Sequence, residues 1–140
     1  MTIKSLAHVC LKTKDLDATA EFYCGALGMK RMFDFTRQGK VIGYYLGAGN
    51  TTFVEAFLEG EPLPIDRQKM VLSHFCLETD DLKGLHASLV ARGLKPGNIV
   101  MGADQAYQFW IDDPNGLAVE FQEYNANSSQ LTGASVEVNW

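Results

Sequence analysis

Two histidines and two glutamates recur at nearly matched spacing: Glu55 follows His8 by 47 residues and Glu120 follows His74 by 46. Imidazole nitrogens and carboxylate oxygens make a mixed donor set that suits Ni, Co, Zn, Mn or Fe better than calcium or a thiolate-held structural zinc. Four such donors leave open positions on a six-coordinate ion, and open positions point to catalysis. Each glutamate interrupts an apolar stretch, Phe53-Val-Glu55-Ala-Phe and Ala118-Val-Glu120-Phe. An unpaired carboxylate buried there costs on the order of several kcal/mol, and a metal ion removes that cost. Taken singly, each histidine reads as a satisfied core imidazole and each glutamate as an edge-strand residue facing solvent. The matched positions favour metal ligation instead, with all four side chains expected to meet at a common point.

The elements that position them come in two copies. Leu6-Ala-His8-Val-Cys10-Leu-Lys-Thr-Lys-Asp15-Leu16 reappears 66 residues later as Leu72-Ser-His74-Phe-Cys76-Leu-Glu-Thr-Asp-Asp81-Leu82, with seven of eleven positions identical. Such self-similarity is the mark of duplication. In each copy an aspartate, Asp15 or Asp81, caps a helix whose apolar residues recur at helical spacing, and Gly28 or Gly93 ends it. Three short runs of β-formers follow each helix, and Asp112-Asp-Pro-Asn-Gly116 reads as a hairpin turn. The order β-α-β-β-β, twice, predicts an α+β fold. Module one is expected over 1–58, a proline-bearing linker over 59–70 and module two over 71–124, together one domain over 1–124, followed by a tail over 125–140. The tail's apolar end is expected to lie against the body or a partner subunit.

Alternation along a strand puts Cys10 and Lys12 on the face of His8, and Val9 and Leu11 toward the helix. Cys10 and Cys76 sit symmetrically near the expected site and read as small buried residues. One of Tyr44 and Tyr45, and one of Phe109 and Trp110, should face a ligand.

A net charge of -5 argues against a partner bound through its phosphates, so nucleic acid is excluded. No run of about 18 apolar residues is available to cross a bilayer, and the residues up to His8 hold no apolar run long enough to read as a secretory leader. Three cysteines without a CxxC pair read as reduced thiols, so a cytoplasmic protein is expected. Dinucleotide and P-loop signatures are absent.

Up to about Tyr124 the chain resembles the vicinal oxygen chelate superfamily, and within it the bacterial type of glyoxalase I. The resemblance rests on His8 with Asp15-Leu16, Phe22-Tyr23-Leu27-Gly28-Met29, Glu55, His74 in Leu-Ser-His-Phe, and Asp113-Pro-Asn-Gly116 leading to Glu120. It implies two βαβββ modules paired into a half-open, cup-like mixed sheet with helices outside, often completed in a homodimer. It also implies one divalent ion, with Ni or Co favoured by His at the first ligand position, and a small-molecule substrate losing a proton next to a carbonyl. Glu120 is then the expected base, with Glu55 second, and the enediolate is held by the ion. Lys12 stands where the family has a substrate-binding arginine, Glu59 where it has an asparagine, and Gln105 and Gln108 where it has lysines. Lysine is the poorer bidentate clamp, which argues against a glutathione hemithioacetal.

Within the same superfamily, an extradiol dioxygenase would need two histidines and one carboxylate on Fe(II), which His8, His74 and Glu120 supply. That reading leaves Glu55 idle and lacks a further acid/base histidine, since His86 falls in the second helix as a surface or half-buried residue. An acyl-thioester epimerase shares the enolate chemistry. A drug-binding module of the bleomycin-resistance kind usually lacks the full ligand set.

Overall fold

The computed structural model describes residues 3–61 and 65–139, so both linker prolines, Pro62 and Pro64, lie outside the described residues. The chain divides into two compact units, 1–66 and 67–140, with the boundary inside the expected linker.

Unit one runs β1 (His8–Thr13), α1 (Leu16–Ala20), a π-helical stretch (Glu21–Ala26), β2 (Lys30–Arg37), β3 (Lys40–Gly47) and β4 (Phe53–Leu58). Its sheet has the order β1-β4-β3-β2, with β1 parallel to β4 and the other pairs antiparallel. Unit two repeats this as β5 (His74–Glu78), α2 (Leu82–Ala91), β6 (Val100–Met101), β7 (Tyr107–Asp112) and β8 (Ala118–Glu123), in the order β5-β8-β7-β6, with α3 (Ser129–Thr132) following. The fold is α+β, with two four-stranded mixed sheets, each built from one βαβββ module.

Capping fixes where each helix starts. The Asp15 carboxylate accepts from the Ala18 backbone N–H at 2.9 Å and that of Asp81 from Gly84 at 2.8 Å. Gly28 and Gly93 end the helices at φ +73° and +80°, where a side chain would be strained. The first helix departs from the expected α-spacing after Ala20: the Leu27 N–H reaches Phe22 O at 3.0 Å and the Met29 N–H reaches Tyr23 O at 2.9 Å. The wider turn accompanies burial of two consecutive aromatic residues, Phe22 and Tyr23, which a regular 100° step splays apart.

In unit one the helix-side face of the sheet is covered and β1 is exposed on the other, whereas in unit two β8 is buried on both faces from Val119 to Gln122. Along β1 the covered positions are Leu11 and Thr13, while His8, Cys10 and Lys12 are exposed, as alternation requires. Tyr44, Leu46, Val54 and Ala56 line the covered face of unit one, and the Tyr44 hydroxyl donates to Leu16 O at 2.8 Å, tying β3 to α1. In unit two Leu82, Leu89, Phe109, Val119 and Phe121 make the core. Fully burying each large side chain is worth roughly 1.5–3 kcal/mol. His86 is half-buried in α2, with its ring edge-on to Phe109 and Nε2 2.9 Å from Gly97 O. The hairpin turn forms as expected: the Asp113 carboxylate accepts the backbone N–H groups of Asn115 (2.8 Å) and Leu117 (2.9 Å).

The tail docks on unit two as far as Gln130, whose side chain reaches Asp104 and Gln122, and from Leu131 to Asn139 it is exposed. Ser128 is buried, its hydroxyl donating to Gln105 O at 3.0 Å.

Candidate metal centre

The cross-strand register decides which side chains meet. His8 lies opposite Phe53 and Cys10 opposite Glu55, so Glu55 is two residues beyond the partner of His8 on the same face. This diagonal brings His8 Nε2 within 3.4 Å of a Glu55 carboxylate oxygen. Unit two repeats the arrangement, His74 opposite Ala118 and Cys76 opposite Glu120, with His74 Nε2 at 3.5 Å from Glu120.

The other ring nitrogen is held in both units, by different residues. Tyr45 Oη lies 2.9 Å from His8 Nδ1, and Ser73 Oγ 2.8 Å from His74 Nδ1. An imidazole fixed at Nδ1 by a hydroxyl presents Nε2 in a set direction, as metal-ligating histidines commonly do. Sequence alone left Tyr44 and Tyr45 as alternatives and assigned neither this role, because the pairing follows from the register of Tyr45 opposite Glu55. Ser73 had a faint signal, standing where the first copy has Ala7.

Glu120 is 7% exposed. Burial foremost raises its pKa above the ordinary carboxylate range; the His74 charge and a hydrogen bond from the Cys76 thiol oppose the rise without cancelling it. Partial burial, then the neighbouring Glu120 charge, pushes the Cys76 thiol up to about 12, and the Cys10 thiol beside Glu55 is raised for the same reasons. Both are free thiols on exposed residues, not the small buried residues expected.

The aromatic choices resolve. Tyr44 and Phe109 are fully buried on the covered faces, whereas Tyr45 pairs with Glu55 and Trp110 with Glu120 on the faces that carry the histidines. In unit one the Tyr45 ring stacks on Phe33 at 4.8 Å, with Phe53 at 5.4 Å and Phe35 at 6.0 Å, and Phe57 packs on Phe35. In unit two Trp110 meets the His74 ring edge-on at 4.6 Å, and the position equivalent to Phe57 is Gln122.

Lys12 shares the His8 face, but its ammonium lies 3.3 Å from the Glu59 carboxylate. Two of the positions that depart from the resembled pattern therefore pair with each other, at an exposed site.

The donors fit a divalent ion in type and orientation: each unit aims an imidazole Nε2 at a carboxylate. Among the described residues no group of three or more histidine, cysteine, aspartate or glutamate side chains capable of holding an ion is gathered. Each unit by itself supplies a pair.

Residues 5–121 match the sequence model of the Glyoxalase/Bleomycin resistance protein/Dioxygenase superfamily, and the chain belongs to that superfamily. No curated protein sequence matches it. A glyoxalase family protein from Enterococcus faecalis shares the fold, with a TM-score of 0.75 and 20% identity over 88% of this chain and 100% of that one. Lactoylglutathione lyase from Agrobacterium tumefaciens gives 0.66 and 20% over 88% and 96%. The antibiotic-binding protein TnmS3 from Streptomyces sp. CB03234 gives 0.68 and 17% over 89% and 99%. The superfamily thus includes both enzymes and small-molecule binders. Among the described residues no helix is long and apolar enough to cross a membrane.

Proposed function

We propose that the protein is a metal-dependent lyase or isomerase of the glyoxalase I type, with His8, Glu55, His74 and Glu120 sharing one divalent ion, Ni, Co or Zn. The observation that supports this most is the repeated pair, in which a histidine anchored at Nδ1 by a hydroxyl turns Nε2 to a carboxylate. Two donors are half of a usual protein ligand set, so the reading requires both pairs to act on the same ion.

Bound there, the ion would act as a Lewis acid toward a carbonyl oxygen of the substrate. His8 and His74 hold fixed ligand positions, each kept in one tautomer by Tyr45 or Ser73. Glu120, released from or loosely held by the ion, would accept the proton from the carbon next to the carbonyl. Its raised pKa moves its basicity toward neutral pH, where a general base works best. It then returns the proton to the neighbouring carbon or the same one, which separates isomerase from epimerase outcomes. Glu55 is the second candidate for that role. Lys12, a poorer bidentate clamp than arginine and paired with Glu59, favours an α-hydroxycarbonyl compound or acyl thioester over the glutathione hemithioacetal as substrate.

Metal analysis of the freshly purified protein tests the site: one ion per chain is expected, lost in His8→Ala and reduced in Glu120→Gln. Unchanged stoichiometry in both variants would refute it. Incubation with such substrates in deuterated water tests the chemistry, since α-deuterium should appear only with metal present.

The aromatic panel of Phe33, Phe35, Tyr45, Phe53 and Phe57 favours one other reading, a binder of flat apolar small molecules. That reading expects affinity for such compounds unaffected by chelation, and no proton exchange.

A further inference from the structure

The two modules differ at one place beside their glutamates. Two residues after Glu55 stands Phe57; two residues after Glu120 stands Gln122, which is 6% exposed and on the same face. The Gln122 side-chain amide donates toward Glu120 Oε1 at 3.2 Å, Asp104 Oδ2 at 3.2 Å and Gln108 Oε1 at 3.3 Å. Two N–H bonds thus serve three acceptors, two of them carboxylates of like charge. Gln130, in the tail helix α3, donates to Asp104 Oδ2 at 2.5 Å and to Gln122 Oε1 at 3.3 Å. Glu120 is therefore anchored through a chain of amides that begins in the segment after the second module. A phenylalanine at position 122, as in module one, would offer Glu120 no donor.

We infer that Gln122 is a positioning residue for Glu120, held by Asp104 and by Gln130 of the tail, so that the segment through Gln130 is part of the second half-site. This rests on the metal reading for its functional meaning. The network itself stands on geometry alone: a buried amide bridges two carboxylates that would otherwise repel. It orients Oε1 and leaves Oε2, the oxygen nearest His74, for the ion. Such outer partners commonly change metal affinity by about 10–100-fold when removed.

The test has two arms. In metal-free, isotope-labelled protein, the Gln122 side-chain amide resonances should move in Gln130→Ala, an exposed position whose replacement leaves the fold intact; unmoved resonances would overturn the network. In the second arm cobalt(II) is titrated into the wild type, Gln122→Met and Gln130→Ala, reading affinity and the visible d–d spectrum. Affinity should drop roughly tenfold or more in Gln122→Met, with an altered spectrum, and by a smaller factor in Gln130→Ala. Wild-type affinity and spectrum in both variants would overturn the positioning role. A wild-type protein that takes up no cobalt refutes the metal reading instead, with the amide resonances still reporting on the network.

Discussion

Tyr45 Oη sits 2.9 Å from His8 Nδ1, while the Nε2 of the same ring faces Glu55 at 3.4 Å. One hydroxyl on β3 thereby aims an imidazole on β1 at a carboxylate on β4. Tyr45→Phe removes the hydroxyl and keeps the ring stack on Phe33. Metal affinity, measured by isothermal titration, should fall about 10-fold while the metal-free melting temperature stays put. Ser73→Ala should do the same to the second pair. If neither substitution alters affinity, the hydroxyls do not orient the rings.

An ion that binds only the folded chain must stabilise it. At a free metal concentration 100 times Kd the gain is about 2.7 kcal/mol. Thermal melts followed by circular dichroism should show a clear rise with Ni(II), reversed by a chelator and absent in His74→Ala. A rise of equal size in that variant would place the ion elsewhere.

Tyr44 supplies a pH dependence remote from the site. Burial, above all, raises its phenol to about 12 from the ordinary 10. The folded state holds that proton more tightly than the unfolded one, so this contribution is intact below pH 10 and fades as pH climbs from 10 through about 12. Near neutral pH Tyr44→Phe should lose roughly 1 kcal/mol with the hydrogen bond to Leu16. In urea unfolding the gap between wild type and variant should narrow at pH 11. A constant gap would contradict the shift.

Gly43 is required by close approach. A Cβ there would stand 2.5 Å from Ala56 O and 2.6 Å from the Phe57 ring, on β4. Backbone cannot yield as a flexible side chain does, so Gly43→Ala should destabilise by about 1–3 kcal/mol in chemical denaturation. A change below about 0.5 kcal/mol, within the usual range for surface substitutions, would mean that the strands slide apart freely.

Much of the fold was legible because its signals are local. Aspartate caps, terminating glycines, period-two strands and the duplicated opening each announce themselves within a few residues, and together they gave the βαβββ order. Which of two adjacent aromatics faces outward depends on cross-strand register, fixed by connections that carry no periodicity. The π-helical stretch has no local signature either. Of the site, the histidines and glutamates were visible through repetition, and each pair does form within its unit. Their helpers broke the repeat: Tyr45 has Trp110 as its counterpart, and Gln122 has Phe57. The Lys12 and Glu59 pairing needed the geometry of two strand ends.

Strand parity carries an evolutionary consequence. The two histidine-to-glutamate intervals differ by one residue, yet both units keep the glutamate two steps past the histidine's partner. The extra residue lies between the capping aspartate and the terminating glycine, 13 residues apart in the first copy and 12 in the second, where the first unit carries its π-helical stretch. Insertions there are tolerable over generations, whereas a single-residue deletion inside β4 or β8 would swing its carboxylate through the sheet to the helix side, away from the histidine it now faces.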